Sequence, residues 1–187
     1  MNGAQTASVW VISGPSGVGK GTVCAVLRER YPEAFYSVSA TTRAARTGEI
    51  DGVSYHFVSS ERFQSMIEHG ELLEWAVVYG HNYYGTPKQP VDDALRAGQV
   101  VVLEIDLQGA RQVKQNLPKA QLVFLSPPSW EELVARLSGR GTEDEAAQQR
   151  RLETAKRELA SVDEADHVIV NREIEETVAA LVGLLGL

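Results

Sequence analysis

Residues 14–22, Gly-Pro-Ser-Gly-Val-Gly-Lys-Gly-Thr, lie between a short apolar run, Val9-Trp10-Val11-Ile12, and a segment carrying Val23, Val26 and Leu27 at helical spacing. The order is strand, glycine-rich loop, helix, which is the context a phosphate-binding loop requires. Glycines let successive backbone N–H groups turn toward one anion with no Cβ in the way. The helix that begins here adds its own unsatisfied N–H groups and the positive end of its dipole. Lys20 then places a point charge on the outer phosphates. Gly14, Pro15, Ser16, Gly17, Val18, Gly19, Lys20, Gly21 and Thr22 are therefore the expected cradle of a nucleoside triphosphate. In the strict form of this loop a hydroxyl directly after the lysine ligates Mg²⁺. Here Gly21 takes that place and the hydroxyl arrives one position later, at Thr22. Magnesium is accordingly expected to be held largely by phosphate oxygens and water, as this ion tolerates, with no direct protein ligand assigned.

The chain has 187 residues, which suits one domain with small insertions. Its 18 basic and 25 acidic residues leave a net charge of −7, which argues against a nucleic-acid backbone as the main partner. Small anions met by local arginine clusters fit better. Cys24, the sole cysteine, lies beside Val23 on the predicted helix, where a buried thiol is expected rather than a nucleophile. The four histidines (His56, His69, His81 and His167) show no metal-ligand spacing. The first eight residues have no basic segment, and the apolar run after them is too short for a signal peptide. No stretch approaches the ~20 apolar residues of a membrane span. A soluble, cytoplasmic protein is the expectation.

Three further apolar runs, Val100–Ile105, Leu122–Leu125 and Val168–Val170, lack alternation and so fit strands covered on both faces, as in a parallel sheet. Helical patterns separate them. Val91, Ala94 and Leu95 share one face before Val100–Ile105; Trp130, Leu133, Val134 and Leu137 follow Leu122–Leu125, after Pro127-Pro128 with Ser129 as N-cap. Ile174, Val178, Leu181, Val182 and Leu185 define a C-terminal helix. Alternating strands and helices predict an α/β fold, a P-loop core with a parallel sheet flanked by helices. Two stretches interrupt the alternation. Residues 37–86 are mixed and polar, unlike a crossover helix, and residues 136–151 carry Arg136, Arg140, Arg150 and Arg151 around Gly139 and Gly141. The latter read either as a solvated face paired with Glu143, Asp144 and Glu145 or, beside a triphosphate loop, as a closing lid.

Ser39-Ala40-Thr41-Thr42-Arg43-Ala44-Ala45-Arg46-Thr47-Gly48-Glu49 places two arginines three apart among hydroxyls, forked donors suited to a phosphate dianion, and Tyr55 and Tyr84 can add phenolic donors. With the Gly-Lys-Gly-Thr loop, this segment resembles guanylate kinase. The likeness runs through Glu74-Trp75, Asn82-Tyr83-Tyr84-Gly85-Thr86, Ile105-Asp106-Leu107-Gln108-Gly109, Arg136 through Thr142, and Val170-Asn171, and so covers essentially the whole chain. It implies a core of residues 1–36 and 87–187, a lid within about 136–151, and a GMP-binding insert at 37–86. It implies further that Arg43, Arg46, Tyr55 and Tyr84 hold the GMP phosphate and that Ser39, Glu74 and Thr86 read the guanine. Arg136, Arg140 and Arg151 would close over the phosphates, Glu49 would orient the arginines, and Asn171 would lie near the ATP base. Ala45 stands where many relatives have proline, and Glu104 where some have aspartate, which leaves its part near Mg²⁺ open. Asp106, at a strand end, can contact the acceptor nucleotide or a magnesium-bound water. The substrates implied are ATP and GMP, with dGMP as a further candidate acceptor; oligomeric state is not legible.

The residues suit this chemistry independently of the family. A phosphomonoester acceptor has a second pKa of about 6, so it is mostly dianionic at neutral pH and needs no side-chain base. Arginine, lysine and backbone N–H are then the conspicuous groups, and no Ser-His-Asp or Cys-His set is present. Guanine offers N1–H and its 2-amino group as adjacent donors. Glu74 can accept from both, leaving the hydroxyls of Ser39 and Thr86 free for O6. A kinase of the same fold acting on a phosphorylated sugar would lack these readers, and an interaction module derived from the family would have an eroded loop. Lys20→Ala is expected to keep the fold and lower turnover by several orders of magnitude, because charge on the transferred phosphoryl group loses its compensation. Activity within threefold of wild type in a steady-state assay would contradict the loop's catalytic role.

Overall fold

The computed structural model describes residues 8–78, 81–138 and 145–187. In chain order the first elements are β1 (Ser8–Ser13), α1 (Lys20–Arg30), β2 (Phe35–Tyr36), β3 (Ala40–Thr41), β4 (His56–Phe57), α2 (Ser60–Glu68), β5 (Leu72–Val78) and β6 (Asn82–Pro87). They are followed by α3 (Lys88–Arg96), β7 (Val100–Glu104), α4 (Leu107–Asn116), β8 (Gln121–Ser126), α5 (Trp130–Ser138), α6 (Glu145–Leu159), β9 (His167–Val170) and α7 (Ile174–Leu185).

The apolar runs become a five-stranded parallel sheet in the order β2-β7-β1-β8-β9. Val11 and Ile12 show why no alternation was visible. Successive strand side chains point to opposite faces, and here both faces are covered. Ile12 joins Leu27 of α1, Leu133 of α5 and Leu181 of α7 in one core; Val11 joins Val91 of α3 and Val113 of α4 in the other. Cys24 is buried in the first core. Ser129 caps α5 as expected, its Oγ accepting from the Glu132 N–H at 3.2 Å. On α7, Val178, Leu181 and Leu185 are buried, whereas Ile174 at the helix start stays 39% exposed.

The polar stretch after β2 contains a second sheet of four strands, in the order β4-β3-β6-β5. It has a small core of its own, Ala40, Phe63 and Met66, closed by α2. Ser59 caps α2 through the Arg62 N–H at 3.2 Å. The two sheets meet where Ser37 extends β2 (its N–H reaches Val102 O at 3.0 Å) and where β6 runs into α3. The sequence pattern did not resolve β2 and α4, nor the separate elements β3, β4, α2, β5 and β6 within the polar stretch, nor helix α6. Around the arginine-rich segment, α5 carries Arg136, and α6 continues past residue 151 to Leu159. The expected lid residues Gly139, Arg140, Gly141, Thr142, Glu143 and Asp144 lie outside the described residues.

Candidate active site

The glycine-rich loop joins β1 to the first turn of α1, so its N–H groups sit at a helix N-terminus above the carboxyl ends of the parallel strands. Gly19 takes φ +104°, and a Cβ there would lie 2.6 Å from Asn171 Nδ2, so both conformation and space demand glycine. Asn171, at the end of β9, is buried beneath the loop. Its Nδ2 donates to Val18 O at 2.7 Å and its Oδ1 accepts from Thr177 Oγ1 at 2.8 Å, so the amide is held by a side chain of α7 while it braces the loop backbone. Arg136 Nη1 also donates to Val18 O, at 3.3 Å, and Arg151 Nη2 donates to Ser16 Oγ at 3.0 Å. Two of the three arginines expected to close over phosphate thus reach the loop from α5 and α6.

Lys20 is folded back on the loop, donating to Gly14 O and, at 3.2 Å, to Pro15 O. Burial lowers its pKa, against the opposing pull of Glu158, Glu104 and Asp106. Burial likewise raises the pKa of Glu104 and of Glu158, with Lys20 drawing both back down. Glu158 Oε2 also accepts from the Ser16 N–H at 3.4 Å, so a carboxylate of the chain approaches the amides that a phosphate would use. Glu158 was not singled out from the sequence, where it is one acid among many on a charged helix. The available signal was spacing: Arg151, Thr154 and Glu158 stand at i, i+3 and i+7, one face of α6.

Across the cleft, Arg43 follows β3 and is held from four sides. Its Nη1 and Nη2 donate to Glu49 at 2.9 and 2.8 Å, its Nε donates to Tyr84 Oη at 3.1 Å, and its Nη1 donates to Ala44 O at 2.7 Å. Its guanidinium lies 5.3 Å from the centre of the Tyr55 ring. Glu49 accepts in addition from the Arg46 N–H at 2.7 Å. The Arg43 hydrogen bonds, with that of Arg46, bring the Glu49 pKa down to about 2, and the same pair raises that of Arg43. Glu49 therefore orients Arg43 through its fork, but it holds Arg46 only through the backbone, and the Arg46 side chain is exposed.

Glu74 of β5 is buried at 4% exposure, and its Oε1 accepts from Thr86 Oγ1 of β6 at 2.7 Å. Burial, with Asp106 adding to it against the Thr86 hydrogen bonds, lifts its pKa to about 7. Thr86 differs here from the sequence expectation of a hydroxyl free for O6. Its proton goes to Glu74, so it orients the carboxylate, while Ser39 lines the same cleft. Asp106 serves as the N-cap of α4, its Oδ1 accepting from the Gly109 N–H at 2.8 Å, while it also lines the cleft.

Ser16, Lys20, Ser39, Tyr55, Glu74, Tyr84 and Asp106, candidates widely separated in the sequence, line one cleft of about 620 Å³ together with Glu104, Gln108, Arg157 and Glu158. Arg43 and Thr86 hold residues of its wall; Asn171 lies below it, and Arg140 lies outside the described residues. Thr22 is exposed on the first turn of α1. A second cavity, of about 650 Å³, opens behind α2; its Arg62 is paired with Glu71, and none of the candidates lines it.

The guanylate kinase family model matches residues 6–186. A guanylate kinase of Nocardia farcinica is 57% identical over 93% of this chain and 91% of its own length, and one of Thermobifida fusca is 56% identical over 97% and 92%. Among solved structures, guanylate kinase from Anaplasma phagocytophilum superposes with a TM-score of 0.81 at 36% identity, covering 97% of this chain and 86% of that one. Sequence and fold agree, and the chain belongs to the guanylate kinase family of P-loop kinases.

Proposed function

We propose that the two ends of the cleft divide the family reaction, with residues 14–22 receiving ATP and the insert of residues 37–86 receiving GMP between core segments 1–36 and 87–187. The activity is that of a nucleoside monophosphate kinase: MgATP and GMP give ADP and GDP. One observation carries the assignment of roles, namely that Lys20 and Glu74 line the same 620 Å³ cleft. A triphosphate ending at Lys20 and a base ending at Glu74 place the acceptor phosphate between them, where Tyr55, Tyr84 and Arg43 stand. Arg46 is proposed to turn its exposed guanidinium to that phosphate. Arg136, Arg140 and Arg151 are proposed to complete the charge around the transferred group.

Transfer then needs alignment and neutralisation more than proton removal, since the GMP phosphate is largely dianionic. The described residues contain no group of three or more His, Cys, Asp or Glu able to hold a metal. Yet Glu104, Asp106 and Glu158 put hard oxygens around Lys20. Such a donor set suits a hydrated Mg²⁺ arriving with ATP and held through phosphates and water. Magnesium would supply further charge compensation at the phosphates; excluding water from the closed cleft would prevent idle hydrolysis. No helix among the described residues is long and apolar enough to cross a membrane. The net charge of −7 disfavours nucleic acid as a partner, and the use of ATP fits a cytoplasmic setting.

A coupled assay across GMP, AMP, CMP and UMP tests the substrate, with turnover expected for GMP and at most trace rates for the others. Comparable rates with AMP would remove guanine selection from the account. Glu74→Gln is expected to weaken GMP use by about 1.5–3 kcal/mol, the worth of a charge-assisted hydrogen bond, or roughly 10- to 150-fold. The GMP-over-AMP ratio should narrow while ATP affinity is unchanged. An equal loss for GMP and AMP would make Glu74 a purely structural acid.

The raised pKa of Glu74 gives a pH dependence of definite sign. Guanine donors require the ionised carboxylate, so binding GMP drives off the proton that the empty site carries below about pH 7. Affinity should rise about tenfold from pH 6 to pH 8 and then level off, beyond the change due to the GMP phosphate near pH 6. Glu74→Gln should retain only the phosphate component. A wild-type profile that matches the variant's would contradict a protonated empty site.

A further inference from the structure

Glu74 is aimed by its own strand, and that strand is aimed by the core. β5 is the edge strand of the insert sheet, and its register with β6 shifts between Leu72 and Glu74, a bulge that redirects the side chain following it. The free side of β5 is taken up by α4. Gln112 Oε1 accepts from the Trp75 N–H at 3.2 Å, and Gln112 Nε2 donates to Trp75 O at 2.7 Å. One amide thus pairs with a peptide as a neighbouring strand would. Asn116 Nδ2 donates to Leu73 O at 2.8 Å. The residues on both sides of Glu74 are therefore tied to one face of α4, three and seven positions beyond Gly109. At Gly109 itself the helix backbone leaves room for the carboxylate: a Cβ there would lie 3.0 Å from Glu74 Cδ and closer still to Oε2. The Gly109 N–H is fixed in turn by Asp106.

We propose that Gln112 and Asn116 are positioning residues for guanine selection, holding from α4 the two residues that flank Glu74 so that its carboxylate stands at the base end of the cleft. The proposal rests on the reading of Glu74 as the acceptor for guanine. The physical requirement is accuracy. Adjacent donors on a rigid base must meet one carboxylate, and an edge strand carrying a bulge is poorly fixed by its single strand neighbour. Thr86 holds one oxygen from β6, and α4 supplies the second, independent constraint from the core. The same amides also satisfy peptide groups at a sheet edge, and that duty alone would show only as stability.

Gln112→Met keeps the length and removes both hydrogen bonds; Asn116→Leu removes the other. KM for GMP should rise about tenfold in each, with KM for ATP within twofold of wild type and the GMP-over-AMP ratio of kcat/KM falling in parallel. Gly109→Ala, which intrudes on the carboxylate directly, should lose more of the ratio than either. Assays are run well below the melting temperature of each variant, so that lowered stability is read separately. Lower melting temperatures with an unchanged GMP-over-AMP ratio would overturn the proposal, and Asn116→Leu carries the test if Gln112→Met does not fold. Glu74→Gln measured alongside separates the two failures. If it narrows the ratio and the α4 variants do not, only the positioning proposal falls; if it does not narrow the ratio, the reading of Glu74 falls and the proposal with it.

Discussion

A half-buried ammonium at the cleft wall is the constraint on which the rest depends. Lys20 sits at the start of α1 with loop carbonyls on one side and the carboxylates of Glu104, Asp106 and Glu158 around it. A charge so placed is costly unless it is paired. Under the proposed roles the chain keeps it there because transfer between two phosphates needs positive charge already fixed at the point of reaction. Loop carbonyls and acids of the chain stabilise the cation without ligand. Arg43 is treated in the same way across the cleft, where Glu49, Tyr84 and Ala44 occupy its donors. Both cations are ordered before any nucleotide arrives, so less side-chain freedom is lost on binding.

The framework around that charge follows from the sheet. β1 delivers the loop, β7 delivers Glu104 and the turn to Asp106, and β9 delivers Asn171 beneath the loop. Parallel strands place these at one end, where helix N-termini also converge. The second sheet brings Glu74 and Tyr84 to the same cleft, and its attachment through α4 fixes them relative to the glycine-rich loop. Arginines 136 and 151 contact the loop from outside through Val18 O and Ser16 Oγ, linking α5 and α6 to the same structure.

The loop and the central sheet were legible because their physics is local. Glycines and a lysine at fixed offsets define the loop, and uninterrupted apolar runs define strands covered on both sides. Helix α4 was missed because its buried residues, Leu107, Ala110 and Val113, are few and interleaved with polar ones that bond to the insert. Strand β2 is two residues long and gives no period to detect. The pairings that shape the site join residues far apart in sequence: Arg43 with Tyr84, Glu74 with Thr86, Ser16 with Arg151. No spacing rule reports such pairs, which is why Thr86 was expected to face the base when its proton is given to Glu74. Glu158 was invisible for a related reason. On a helix rich in charge, its spacing from Arg151 and Thr154 places it on their face but does not single it out among the acids; the contact with the loop does.

The central claim is that one cleft holds both nucleotides end to end, phosphates toward each other. The most direct measurement is the affinity of a bisubstrate analogue, adenosine and guanosine joined by five phosphates, determined by calorimetry beside ATP and GMP alone. A ligand that fills both ends should bind about 10²-fold or more tightly than either nucleotide, since the second end binds at high effective concentration. It should also exclude both of them. An analogue that binds no more tightly than ATP and leaves GMP binding unaffected would contradict the account.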